Sequence, residues 1–340
     1  MIPSLVRFAV RRSLNDTRHI RVVKRRHATG LVADVYRQVE RDFGMLAPPT
    51  ALHSASPGTL AASWTILRET LLAQGVADRA AKEAVATGVS AANSCPYCAD
   101  VHGMTLAAIP DAADPSALTS WARESATAAG ASSPPGPAEQ SPELIGVAVA
   151  FHYYNRVVNV FLRDSPFPTH VPESAKPKAR KVLGGVLRRS VAGPRPGDSL
   201  DLLPPAPVPA DLAWAAPNPA VATAFARAYA AVDAAGIRSV PARVRDLVHG
   251  RLSVWDGRPP GLSRSWVDEP VATLPAADQA AGRLALVVAL ASYQVDDGMV
   301  DEVKRAGADD ATLVELAAWA SLAAARRVGT WLAEARAAAA

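Results

Sequence analysis

Cysteine is nearly absent: the 340 residues hold two, and both fall in one short stretch, at Cys95 and Cys98. Two cysteines cannot build the multi-bridge framework of a small secreted domain, and a chain this long does not need one. Nor can they alone close a structural zinc site, which takes four ligands; His102 and Glu83 could complete it only as an unusual set. Aromatic residues are scarce, at 6%, whereas apolar residues reach 49%. The core must therefore come from Ala, Val and Leu, and Ala-rich runs without alternation favour close-packed helices over strands. Long apolar runs are missing too. The best, residues 284–295, is interrupted by Ser292 and Gln294 and is too short to span a bilayer.

The formal net charge is +4, and much of the excess lies between Arg7 and Arg26, where Arg11, Arg12, Arg18, Arg21, Lys24 and Arg25 also cluster. Such a run can touch nucleic acid or an anionic membrane, but no nucleic-acid-binding signature accompanies it. The expectation is a solvated face of an N-terminal helix, with neither nucleic acid nor membrane as a partner. Residues 1–15 lack an uninterrupted apolar core and a small-residue cleavage site, so they do not read as a secretory signal. A cytoplasmic protein is the default expectation.

Periodicity predicts an all-α fold. Residues 29–48 form a helix with Val32, Val35, Tyr36, Val39 and Phe43 on its apolar side, stopped by Gly44 and two prolines. Residues 57–74 form another, with Leu60, Trp64, Leu67 and Leu71 on one face. Asp78 caps a third over 79–92, and Asn93-Ser94 makes a joint before a fourth helix that begins at the cysteines. Residues 131–141 read as a loop, and 142–163 as a long helix. Prolines from Pro166 to Pro219 then mark a connector with one short helix near 178–191, followed by a second helical half whose tryptophans (Trp214, Trp255, Trp266, Trp319, Trp331) read as packing anchors. Four segments result: 1–28 basic, 29–163 carrying the cysteines, 164–219 proline-rich, and 220–340 helical.

Weak internal similarity suggests a tandem repeat. Residues 278–299 overlay 83–104 without gaps, and Arg326 to Leu332 is similar to Arg156 to Leu162. Leu290, Tyr293 and Asp297 then stand where Cys95, Cys98 and His102 would be, so the second copy would carry no dithiol.

Pro96 suits the first turn of a helix, which puts Cys95 at the helix start, where unpaired N–H groups favour a thiolate. Cys98 follows one turn on, within reach of a disulfide. His102, four residues later, shares its face and can exchange a proton with that sulfur. Glu83 belongs to the preceding helix, on a face with Ala86, Thr87 and Ser90 that allows close approach, and can orient His102. Haem attachment would need His directly after the second cysteine, and a thioredoxin motif would need a βαβ pattern; neither is present.

The pattern E-x11-C-x2-C-x3-H on an Ala-rich helical background, with GLVADVYRQVERDFGMLAPP before it and FHYYNRVVNVFL after it, resembles the alkyl hydroperoxidase D (AhpD-like) / carboxymuconolactone decarboxylase superfamily over residues 28–163. The resemblance implies an AhpD-like helical bundle and a cofactor-free thiol peroxidase. In it Cys98 attacks the hydroperoxide, Cys95 resolves the sulfenic acid, and His102 with Glu83 relays the proton. A dithiol reductant, in the family a lipoyl group on a carrier protein, closes the cycle. Helix-terminus reasoning alone favours Cys95 as the more acidic thiol. Members often carry a histidine before the second cysteine, where this chain has Tyr97, read as packing at the pocket mouth. His152 and Asn155 are further pocket residues, and Arg156 reads as an interhelical ion pair. The family also implies a homo-oligomer and leaves two alternatives, a carboxymuconolactone decarboxylase-like lyase and a non-catalytic redox sensor or scaffold.

Overall fold

Alanine's small side chain lets helices approach closely, and every regular element among the described residues is helical. The structure is a computed structural model that describes residues 17–110, 113–167, 173–188 and 193–339. Helices of eight or more residues, numbered in chain order, are α1 Gly30–Asp42, α2 Pro57–Leu67, α3 Arg79–Ala92, α4 Pro96–Leu106, α5 Ser116–Glu124, α6 Ser141–Phe161, α7 Lys176–Leu187, α8 Pro219–Ser239, α9 Ala242–Val254, α10 Ala276–Ala291, α11 Asp297–Arg305 and α12 Asp310–Ala339. The all-α expectation holds.

The hub is α6. All its residues are buried except Asn159, so it has no solvent face and is wrapped on every side, by α3, α2, α4, α10 and α12. Its first turn is fixed by Glu143, whose carboxylate meets Lys82 Nζ at 2.9 Å and accepts the Val76 amide at 2.9 Å. Gly146 lets α8 approach: a Cβ there would lie 3.3 Å from Val221 and 2.9 Å from Thr70. The buried apolar residues form one cluster running from Ile20 to Leu332, across both halves of the chain.

Several local expectations need correction. Within residues 17–28 the chain is not the expected helix but irregular, bent at residues 18–20 and with one 3-10 turn at Arg25–His27. It is strapped down by Arg18 N–H to Phe161 O at 2.8 Å, and its charges are partly paired, as in Arg25 with Glu40 at 2.6 Å. Arg7, Arg11 and Arg12 lie outside the described residues. The helix expected over 57–74 stays α-helical only to Leu67 and continues as a π turn, Arg68–Leu72, from which Glu69 accepts the Gly197 amide at 2.7 Å and the Ser199 hydroxyl at 2.6 Å. That contact docks part of the proline-rich segment, whose Leu203, Leu212 and Trp214 are buried. Helix α5, not expected at all, packs on α3 at Gly88, where a Cβ would lie 2.4 Å from Thr119 O.

A helix–joint–helix does occur twice, as α3–α4 and α10–α11, but the joints do not share the gapless register. Leu290 lies inside α10, whereas Cys95 stands at the start of α4. The tandem repeat is therefore not established by the fold.

Candidate functional site

The site begins at the end of α3. Ser94 N–H bonds Ala91 O at 3.2 Å and Cys95 N–H bonds Ser90 O at 3.0 Å, the paired bonds of a Schellman cap. That cap needs a left-handed residue, usually glycine; here Ser94 takes it, with φ +49°. The reversal throws the chain directly into α4, with Cys95 as the N-cap residue and Pro96 in the first turn, where its missing N–H leaves no gap. The Cys95 side chain makes no capping bond to α4.

Both cysteines are free thiols, and both are sealed: Cys95 is 1% exposed and Cys98 3%. Burial, a hydrogen bond to Cys95 and the charge there push the Cys98 thiol well above its ordinary value. The Asn155 amide acts in the opposite direction. Tyr97 is buried beside both sulfurs, not at an open mouth, and its phenol is pushed far up by burial and by Cys98 and Cys95.

His102, one turn beyond Cys98, turns its ring to Glu83: Nδ1 lies 2.6 Å from Oε2. The other carboxylate oxygen accepts Arg79 Nε at 2.7 Å. Burial alone would raise the Glu83 carboxyl, but Arg79 and His102 together hold it below its ordinary value. An ionised carboxylate only accepts, so Nδ1 carries the shared hydrogen and Nε2 is left as the ring's exchange position. The ring packs edge-on against Phe151 of α6, with centroids 4.5 Å apart. Thr87 lies beside Gly103, so the small-residue face of α3 does admit α4. His102 is not among the groups that set the Cys98 thiol in this arrangement.

A second polar cluster, largely unforeseen, adjoins the cysteines. Asn93 Nδ2 lies 3.1 Å from Asn155 Oδ1 and 3.1 Å from His152 Nδ1, and Asn155 Nδ2 donates to Ser90 Oγ at 3.0 Å. Arg156 Nη1 donates to Asn93 Oδ1 at 3.1 Å. Among the described residues Arg156 forms no ion pair, against expectation: its partners are the carbonyls of His152 and Ala289, the Asn93 amide oxygen and, at 3.4 Å, His152 Nδ1. His152 is fully buried and held below its ordinary value by burial and by Arg156, and its Nε2 has no partner. The structure thus brings Cys95, Cys98, Tyr97 and Asn155 together, links His102 to Glu83, and sets His152 on the Asn93 side. Sequence reasoning missed Arg79, Asn93 and Phe151. Helical spacing from Glu83 could have found Arg79; the other two had no local signal.

Two surface clefts, of about 540 and 690 Å³, lie between α8, α9 and α12 and beside α11; neither is lined by a dithiol residue. Among the described residues no cluster of three or more metal-ligating side chains occurs, and no helix is long and apolar enough to cross a membrane.

Residues 58–132 match the carboxymuconolactone decarboxylase family. A Mycobacterium tuberculosis protein named alkyl hydroperoxide reductase is 40% identical, over 92% of this chain and 94% of that protein. No solved structure matches the chain.

Proposed function

The chain belongs to the carboxymuconolactone decarboxylase family, in its AhpD-like branch, and on that premise we propose that it is a dithiol peroxidase that reduces hydroperoxides. The observation that carries this reading is a reduced cysteine pair one turn apart at a helix start, with an imidazole one turn further along locked to a buried carboxylate of the preceding helix.

In the proposed cycle the Cys98 thiolate attacks the hydroperoxide ROOH. The O–O bond breaks, Cys98 becomes a sulfenic acid, and the departing alkoxide takes a proton to leave as ROH. Cys95 then attacks that sulfur, forming the disulfide and releasing water. A dithiol reductant, such as a lipoyl group on a carrier protein, exchanges into the disulfide and leaves as its own disulfide, restoring both thiols. His102 moves the protons through Nε2, while Glu83 fixes the ring and balances its charge. The buried thiol must lose its proton before it reacts, and a relay one turn away is suited to that task.

Steady-state turnover of an alkyl hydroperoxide with reduced lipoamide tests the proposal. Turnover that is lost in Cys98→Ser supports it; thiols that stay reduced under excess hydroperoxide overturn it. The raised Cys98 thiol favours one second reading, a lyase in which the cysteines do not cycle. That reading requires lactone turnover by the Cys95→Ser, Cys98→Ser double variant.

A further inference from the structure

Arg156 is 4% exposed and meets no carboxylate among the described residues. An unpaired buried charge is among the costliest things a fold can hold, so its surroundings need a reason. Its Nε donates to Ala289 O at 2.9 Å, its Nη1 to His152 O at 2.7 Å and to Asn93 Oδ1 at 3.1 Å, and the guanidinium lies 5.8 Å from the Trp255 ring centre.

The direction of these bonds matters. A guanidinium has only donors, so Asn93 must turn its oxygen toward Arg156. Its amide nitrogen then faces three acceptors, Val89 O, Asn155 Oδ1 and His152 Nδ1, each at 3.1 Å. With its oxygen occupied, Asn155 is left to present its own N–H groups, one of them to Ser90 Oγ, whose hydroxyl already donates to Ala86 O at 2.6 Å, and the same amide acts on the Cys98 thiol against the burial that raises it. Every link from Arg156 to Asn155 has one permitted polarity. Asn159 braces the same joint, donating to Asn93 O at 3.2 Å and to Ser292 Oγ at 3.0 Å.

We propose that Arg156 is a positioning residue for the dithiol: held from the second half of the chain by Ala289 and Trp255, it sets the polarity of Asn93 and Asn155 so that Cys98 faces an N–H and not a carbonyl oxygen. A donor favours the thiolate; a flipped amide would accept from the thiol and keep the proton on sulfur. The second half, which carries no cysteine of its own, thereby acts on the chemistry of the first.

The inference rests on Cys98 as the reacting sulfur, and its test needs no peroxide, so failure of the peroxidase reading leaves it standing. The rate of iodoacetamide alkylation of Cys98 is followed against pH in the full chain carrying Cys95→Ser, with folding checked by circular dichroism. Arg156→Met, which removes every donor, is expected to raise the apparent pKa by about one unit and to slow alkylation at neutral pH about tenfold. Arg156→Lys, again a donor only, restores most of the rate. Should Arg156→Met fail to fold, Asn93→Asp decides: it keeps an acceptor for Arg156 but deprives Asn155 of its donor, and the same slowing is expected. Profiles that superimpose on the parent, or Arg156→Lys as slow as Arg156→Met, overturn the proposal.

Discussion

His102 Nδ1 and Glu83 Oε2 lie 2.6 Å apart, across two helices and within a pocket that leaves the carboxylate no solvent. The pair fixes the imidazole's tautomer and orientation before any substrate arrives. Replacing His102 by Ala should slow peroxide-dependent oxidation of Cys98 near neutral pH by about 100-fold or more, the usual size of a lost proton relay. Mass spectrometry of the thiols after timed quenching checks it, and unchanged kinetics would remove His102 from the mechanism.

Glu83 carries a pH consequence of its own. Its carboxyl is held below the ordinary value of 4.5, because Arg79 and His102 outweigh the burial that opposes them. The folded state therefore binds this proton less readily than the unfolded chain does. The stability it contributes is complete above the unfolded value and is lost as pH falls through the lower folded one. Glu83→Gln should flatten the decline of stability with acidification below about pH 4.5. Urea midpoints measured from pH 7 down to pH 3 would show it, and parallel curves for variant and parent would contradict it.

Ser94 occupies a backbone position that glycine takes without strain. Left-handed geometry costs a side-chain-bearing residue about 1–2 kcal/mol, while glycine's extra freedom in the unfolded chain returns about 0.5–1 kcal/mol of that. Ser94→Gly is thus expected to raise stability by about 0.5–1 kcal/mol. Chemical denaturation reads this directly, and a destabilised variant would mean that the Ser94 side chain has a role beyond the turn.

Gly88 faces the opposite balance. Alanine would gain about 1 kcal/mol of helix propensity in α3. Its Cβ, however, would lie 2.4 Å from Thr119 O and 2.9 Å from Ala122 Cβ, and the first of these is backbone that cannot rotate away. Overpacking of about 1–3 kcal/mol should win, so Gly88→Ala is expected to lower the denaturation midpoint and loosen α5. Faster amide exchange confined to residues 116–124 would be its signature; a more stable variant would refute it.

The legible parts of the molecule are those whose causes are local. Helical periodicity marked α1, α3 and α6 closely, and the spacing of Glu83, Cys95, Cys98 and His102 marked a candidate site whose members lie on two consecutive helices and the joint between them. What stayed hidden depends on distance along the chain. Arg156 meets Ala289 across 133 positions, and no pattern near Arg156 says that its acceptors are neutral. The register of the second half was misjudged for a related reason. Leu290 looks interchangeable with Cys95 in a gapless overlay, yet apolar packing carries α10 on through it, while the Ser94 reversal ends α3 before Cys95. The basic run near Arg25 failed differently: charge density suggested a helix face, and tertiary contacts of Arg18 and Tyr36 hold the segment in an irregular path instead.

The sealing of the two sulfurs has a kinetic meaning. With Cys95 at 1% and Cys98 at 3% exposure, the resting arrangement leaves a reagent almost no access to either residue. Any measured rate constant for this dithiol is then the intrinsic reactivity multiplied by the fraction of molecules momentarily open, and a substitution can change it through either factor. Comparing a small oxidant with a bulky one separates the two, since the open fraction falls with the size of the opening required while the sulfur's own nucleophilicity stays the same.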